Sequence, residues 1–167
     1  MEQIKWPFLK QTWGIEFESS KGAYLYTKDG RKILDAAGGA IVNNIGYGRE
    51  EVAEAISKAV INNSYILPPF LTPEREALLD ELRNHWLPPH LTRIHLSSGG
   101  SEANESAVKL AIQYQASRGK PEKNIILTRS LSYHGTTLNM SGISGHEARK
   151  RGLESYVPSP TTIETPY

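Results

Sequence analysis

The sequence predicts an α/β protein with parallel strand pairing, and three observations carry that expectation. Strand-like and helix-like segments alternate along residues 93–128, the rhythm of helices packed on a parallel sheet. A run of small residues, Ser98-Gly99-Gly100-Ser101-Glu102, falls between an expected strand and an expected helix, at the sheet edge where such folds gather ligands. The 167 residues are 38% apolar and 22% charged, enough to bury a core and too apolar for a disordered chain.

Taken in order, the first element is a β-hairpin over residues 22–34. Ala23-Tyr24-Leu25-Tyr26-Thr27 and Arg31-Lys32-Ile33-Leu34 are strand-like, and Asp29-Gly30 supplies the turn. Residues 35–48 hold Gly38, Gly39, Gly46 and Gly48 and read as a loop with short extended pieces. A helix follows over residues 50–60, with Val52, Ile56 and Val60 on one face. Thr72-Pro73 starts the next helix, because a capping hydroxyl precedes a proline at a position that needs no amide donor. Leu78, Leu82 and Trp86 mark its apolar side and Pro88-Pro89 ends it. Residues 93–97 alternate as a strand does. A third helix then starts at the small-residue run, with Ala103, Ala107, Leu110 and Ala111 along one side and Glu105 facing Lys109. Residues 124–128 form another expected strand. Residues 155–167 contain no closing helix. Two or three parallel strands with an open edge make a poor stopping point, so the chain reads as cut rather than finished.

Composition narrows the function classes. Lys and Arg total 19 against 18 acidic residues, a formal charge of +1, which gives no bulk electrostatic pull toward nucleic acid or an anionic membrane. The absence of cysteine removes disulfides, thiolate metal sites and cysteine nucleophiles. Residues 1–13 hold no apolar stretch of signal-peptide length, and no segment approaches a membrane span; the default reading is cytoplasmic.

Four places invite chemistry. At Gly99-Gly100-Ser101 the backbone can approach a ligand closely, and free amides at a helix start favour an anion such as phosphate. A plain serine-capped turn explains the same residues. The run is neither a P-loop nor a dinucleotide fingerprint. Ser132-Tyr133-His134-Gly135 follows the next expected strand and reaches the same sheet edge, where Tyr133 or His134 could cover the face of an aromatic ring. The alternative is a tyrosine in the core and a histidine capping a turn. His85, His90 and His95 recur every five residues, a spacing that suits no single helix or strand face, so no metal ligand is nominated. Gly142-Ile143-Ser144-Gly145-His146 lacks the G-x-S-x-G pattern of a nucleophile elbow. Arg149, Lys150 and Arg151 read as a solvated helix surface. Trp6, Trp13 and Tyr47 fit a substrate pocket and ordinary packing equally well and receive no role.

Taken together, these residues resemble the class III (ω-type) aminotransferases, within the fold-type I pyridoxal-phosphate enzymes. The resemblance covers essentially the whole chain. Its most specific parts are Ser98-Gly99-Gly100-Ser101-Glu102-Ala103-Asn104-Glu105 and Ser132-Tyr133-His134-Gly135. It implies an N-terminal segment over residues 1–70, with the hairpin and first helix as part of a small domain. Residues 71–167 would then begin the large parallel-sheet cofactor domain and leave it incomplete. It implies pyridoxal 5'-phosphate as cofactor, with the phosphate on Gly100 and Ser101, Tyr133 stacked on the pyridine ring and His134 beside it.

The implied reaction moves an amino group from an amino acid or terminal amine to a 2-oxo acid such as pyruvate. An aminomutase or decarboxylase of the same fold, and a non-catalytic remnant or interaction module, are the alternatives. The family's Schiff-base lysine, and the aspartate that pairs with the pyridine nitrogen, lie beyond the last residue. No catalytic residue is therefore nominated, and the 167 residues alone are expected to be inactive. Lys109 and Lys120 belong to the helix after the phosphate loop and to its end. A homodimer is implied for the full-length protein.

Overall fold

The computed structural model describes residues 14–165. Residues 1–13, where the absence of a signal peptide was expected and where Trp6 and Trp13 lie, fall outside the described residues, as do Pro166 and Tyr167. The chain divides into two compact units, one up to His85 and one from Trp86 onward.

The first unit opens with an antiparallel meander of β1 (Phe17–Lys21), β2 (Tyr24–Thr27) and β3 (Lys32–Leu34). The β2–β3 hairpin has the expected turn, with Gly30 at φ +85° and Leu25 opposite Ile33. β1 was not expected. Its sequence, Phe-Glu-Ser-Ser-Lys, has one strongly strand-forming residue, and pairing with β2 rather than propensity makes it a strand. Thr27 is buried and accepts from the Arg31 amide at 2.9 Å. Its hydroxyl also bonds Asp29. The Arg31 guanidinium, then Thr27, hold the Asp29 carboxyl down to about 2.

Residues 38–41 correct the expectation of a plain loop. Gly38–Ile41 forms one left-handed helical turn, α1, with φ between +56° and +68° at all four residues. Bonds from the Ile41 amide to Ala37 O (2.8 Å) and from Val42 to Gly38 O (3.0 Å) close it. Glycine adopts this conformation freely, whereas Ala40 and Ile41 each cost about 1–2 kcal/mol. Asp35 offsets that cost by accepting from the amides of Ala37 (3.0 Å) and Gly39 (2.8 Å) and from the Tyr47 hydroxyl (2.7 Å). Those donors, Tyr47 first, keep Asp35 below the usual carboxylate range, and the same bond raises Tyr47.

α2 (Glu50–Asn62) and α3 (Pro73–Glu81) follow. Thr72 caps α3 through the Arg75 amide at 3.3 Å, with Pro73 in the first turn, as expected. The apolar row Leu78, Leu82, Trp86 does not stay on one α-helix, because residues Leu82–Trp86 widen into a π-helical turn. The α2 stripe of Val52, Ile56 and Val60 is present but stands exposed.

In the second unit α4 (Gly100–Ser117) is the long helix, and β4 (Leu127–Arg129) pairs in parallel with β5 (Thr161–Ile163). Between the two strands run the short helices α5 (Leu138–Ile143) and α6 (Glu147–Lys150), a crossover of the kind parallel pairing demands. Two expectations change here. Residues 93–97 form no strand, since a strand exists only where a partner supplies its ladder and none does so among the described residues. Residues 161–163, read as tail, are instead β5, as the β-branched run Thr161-Thr162-Ile163 allows. The core of this unit is small: among the described residues Met140 and Ile143 are the buried apolar side chains, joined by buried Thr128 and Ser144. No helix among the described residues is long and apolar enough to cross a membrane.

Candidate cofactor site

The site is built from the start of α4 and the loop that leaves β4. Gly99 is the N-cap residue, extended at φ −170° and ψ 171°, and it offers no side-chain cap. The first intrahelical bond runs from the Ala103 amide to Gly99 O at 3.0 Å. The amides of Gly100, Ser101 and Glu102 therefore precede the helix ladder and carry its positive end. A side chain added at Gly100 would meet nothing within 4 Å, so the approach to its backbone is open. On the Gly99 side the space is taken, because the Glu102 carboxylate lies 2.8 Å from where a Cβ would stand. The Glu102 carboxylate folds back over the N-cap, at the positive end of α4.

The loop after β4 is fastened to the same turn of α4. The Thr136 amide donates to Ser101 Oγ at 3.0 Å, Asn104 Nδ2 donates to His134 O at 2.7 Å, and Glu105 accepts from Thr137 Oγ1 and Asn139 Nδ2 at 2.5 and 2.8 Å. Residues 101, 104 and 105 share one helix face, so one turn of α4 grips residues 134–139. Gly135 makes the approach possible: at φ +146°, a Cβ there would lie 2.6 Å from Ser101 Oγ and 3.0 Å from Met140 Cβ. The Thr137 hydroxyl, then the Asn139 amide, hold Glu105 below its ordinary pKa against an opposing burial effect. The expected pairing of Glu105 with Lys109 is thus replaced by bonds across to the loop.

The two ring-bearing candidates part company. Tyr133 is 54% exposed, with the Arg149 guanidinium 5.0 Å from its ring centre, so it is not a core tyrosine and its ring stands at the surface of the site. His134 turns inward. Its Nε2 lies 2.9 Å from the buried Thr128 Oγ1, and its amide donates to Ser144 Oγ at 3.0 Å. Ser144 is itself buried and donates to Met140 O at 2.7 Å, which makes it a structural hydroxyl. The basic cluster is also not uniformly solvated: Lys150 is 12% exposed at its side chain and pairs with Glu147. Asn104, Glu105, Thr136 and Thr137 were not read as part of the site from the sequence. The signal available was the polar i, i+3, i+4 row of Ser101, Asn104 and Glu105 on a helix whose alanines recur every fourth residue, at 103, 107 and 111.

The second unit thus places the open N-terminus of α4 beside a loop that carries an exposed tyrosine, the arrangement of an α/β unit. Residues 10–167 match the aminotransferase class-III family, and the chain belongs to that family of fold-type I pyridoxal-phosphate enzymes, as an N-terminal portion of it. It is 33% identical over 148 residues to an uncharacterized aminotransferase of Bacillus subtilis, covering 89% of this chain and 33% of that protein. It is 37% identical over 138 residues to a probable aminotransferase of Mycobacterium tuberculosis, covering 82% and 29%. Among solved structures it superposes on an (S)-enantioselective ω-transaminase of Thermomicrobium roseum with TM-score 0.83 and 28% identity, over 92% of this chain and 34% of the other. The chain spans about a third of the length of the curated relatives it matches.

Proposed function

We propose that these residues hold the phosphate and one ring face of pyridoxal 5'-phosphate in an aminotransferase. The observation that carries the reading is the open backbone at Gly100 beside the Ser101 hydroxyl, one loop away from exposed Tyr133. Gly100 and Ser101 donate amides, and Ser101 its hydroxyl, to phosphate oxygens; Tyr133 covers the ring. His134 acts from beneath, tying the loop to β4 through Thr128. When bound, the cofactor supplies an electron-withdrawing ring that carries the amino group between substrates.

The substrates proposed are an amine or amino acid and a 2-oxo acid such as pyruvate. Support comes from relatives described as a putrescine–pyruvate aminotransferase of Pseudomonas aeruginosa and a hypotaurine/taurine–pyruvate aminotransferase of Paracoccus denitrificans, 28% and 36% identical. The reading extends to a homodimer for the full-length protein. The exposed stripes of α2 and α4, including Ile56, Val60 and Leu110, are surfaces that the remaining length of the family's proteins would cover.

The test is calorimetric titration of the chain with pyridoxal 5'-phosphate and with pyridoxal, which lacks the phosphate. Tighter binding of the phosphorylated compound by tenfold or more is expected. Equal affinities would sink the assignment of Gly100 and Ser101. The 167 residues assayed alone with an amine and pyruvate are expected to give no turnover.

A further inference from the structure

We propose that Glu105 is a positioning residue for the cofactor phosphate: through Thr137 and Asn139 it sets the loop so that the Thr136 amide fixes the direction of the Ser101 hydroxyl. The proposal rests on the reading of Gly100 and Ser101 as phosphate ligands.

Glu105 lies one helical turn beyond Ser101, on the same face of α4. Both of its oxygens are taken, one by Thr137 Oγ1 and the other by Asn139 Nδ2. Thr137 is at the same time the N-cap of α5, accepting from the Met140 amide at 3.3 Å. Residues 137–140 are therefore pinned at both ends, and the amide immediately before them, Thr136 N, is delivered to Ser101 Oγ at 3.0 Å.

A serine hydroxyl has one proton to give and two lone pairs to receive. With a lone pair occupied by Thr136 N–H, its proton is turned away from the loop and preset as a donor. A phosphate oxygen accepts nothing but donors, so a preset hydroxyl binds it without first reorienting. Glutamate suits the post because two donors converge on it, and an ionised carboxylate is a pure acceptor with two oxygens. Glutamine at 105 would keep one acceptor: its NH2 group must either face that of Asn139 or turn to Thr137 Oγ1, whose hydroxyl then accepts instead of donating.

The experiment uses the whole 167-residue chain, unmodified and with Glu105→Ala or Glu105→Gln. Two things are measured: hydrogen exchange at the Thr136 amide, and affinity for pyridoxal 5'-phosphate against pyridoxal. For E105A, Thr136 exchange is expected to quicken at least tenfold. Affinity for the phosphorylated compound should fall about tenfold while affinity for pyridoxal holds, and E105Q should lie between. Unchanged Thr136 exchange in E105A overturns the proposal, as does an equal loss of both ligands, which is the mark of a merely structural residue. If the unmodified chain fails to prefer the phosphorylated compound, the phosphate reading fails and takes the proposal with it. A preference intact in both unmodified chain and E105A overturns the proposal alone. Asn139→Ala, which removes one donor and leaves the carboxylate, carries the same readouts should E105A not fold.

Discussion

Gly135→Ala tests the close approach on which the site is built. The added methyl group would stand 2.6 Å from Ser101 Oγ, 2.9 Å from Ser101 Cβ and 3.0 Å from Met140 Cβ. Met140 is fully buried and cannot retreat. Ser101 can yield only by rotating its hydroxyl away from the Thr136 amide, which gives up their 3.0 Å bond. Three costs combine: about 1–3 kcal/mol for alanine at φ +146°, about 1–3 kcal/mol for overpacking, and about 1 kcal/mol for the lost bond. A loss of about 3 kcal/mol or more is expected. Gly119→Ala is the control, because Gly119 also has positive φ (+71°) but nothing within 4 Å of a Cβ. It should lose only about 1 kcal/mol. Urea unfolding followed by far-UV circular dichroism gives both values, provided the slopes agree. If G135A costs no more than G119A, the packing argument is wrong and the loop does not depend on that approach.

Other expectations follow from single contacts. Thr72→Ala removes the α3 cap to the Arg75 amide and should cost about 1 kcal/mol in the same assay; no loss would mean the helix start is held by Pro73 alone. Ser144→Ala leaves the His134 amide without its acceptor in a buried setting and should cost about 1–3 kcal/mol. A neutral result would show that water takes over the bond. Glu105, with its pKa lowered in the folded chain, contributes stability that is present above its unfolded value of about 4.3 and lost as pH falls through the folded one. E105Q should therefore weaken the dependence of the urea midpoint on pH between 7 and the acid side of that window. Parallel pH profiles for E105Q and the unmodified chain would refute it.

What the sequence made legible was local chemistry. The Thr72-Pro73 start, the Asp29-Gly30 turn and the origin of α4 at Gly100 each rest on residues whose conformational preference acts within a few positions. What it hid was pairing and long-range contact. Only Phe17 within Phe17 to Lys21 favours a strand until β2 lies alongside, and residues 93–97 show the converse, a strand-like pattern with no partner among the described residues. The left-handed turn at Gly38–Ile41 was equally out of reach, because two of its four residues resist the conformation and Asp35, which accepts from the Ala37 and Gly39 amides, is itself held by Tyr47 twelve positions away.

The candidate site divides along the same line. Gly100 and Ser101 could be nominated from their place between an expected strand and a helix, and Tyr133 from its place after the next strand. Their relation could not be read, since it is set by contacts about thirty residues apart in sequence: Asn104 to His134, Ser101 to Thr136, Glu105 to Asn139. The same contacts explain why two neighbouring aromatic-type residues take opposite directions. The loop is held by backbone atoms of His134, with its ring drawn down to Thr128, while Tyr133 stays exposed. One turn of α4 thus both presents the anion-seeking amides and fixes the loop that bears the tyrosine. A substitution on the face shared by residues 101, 104 and 105 should therefore disturb recognition of the phosphate, whereas one on the opposite face, such as Leu110, should not.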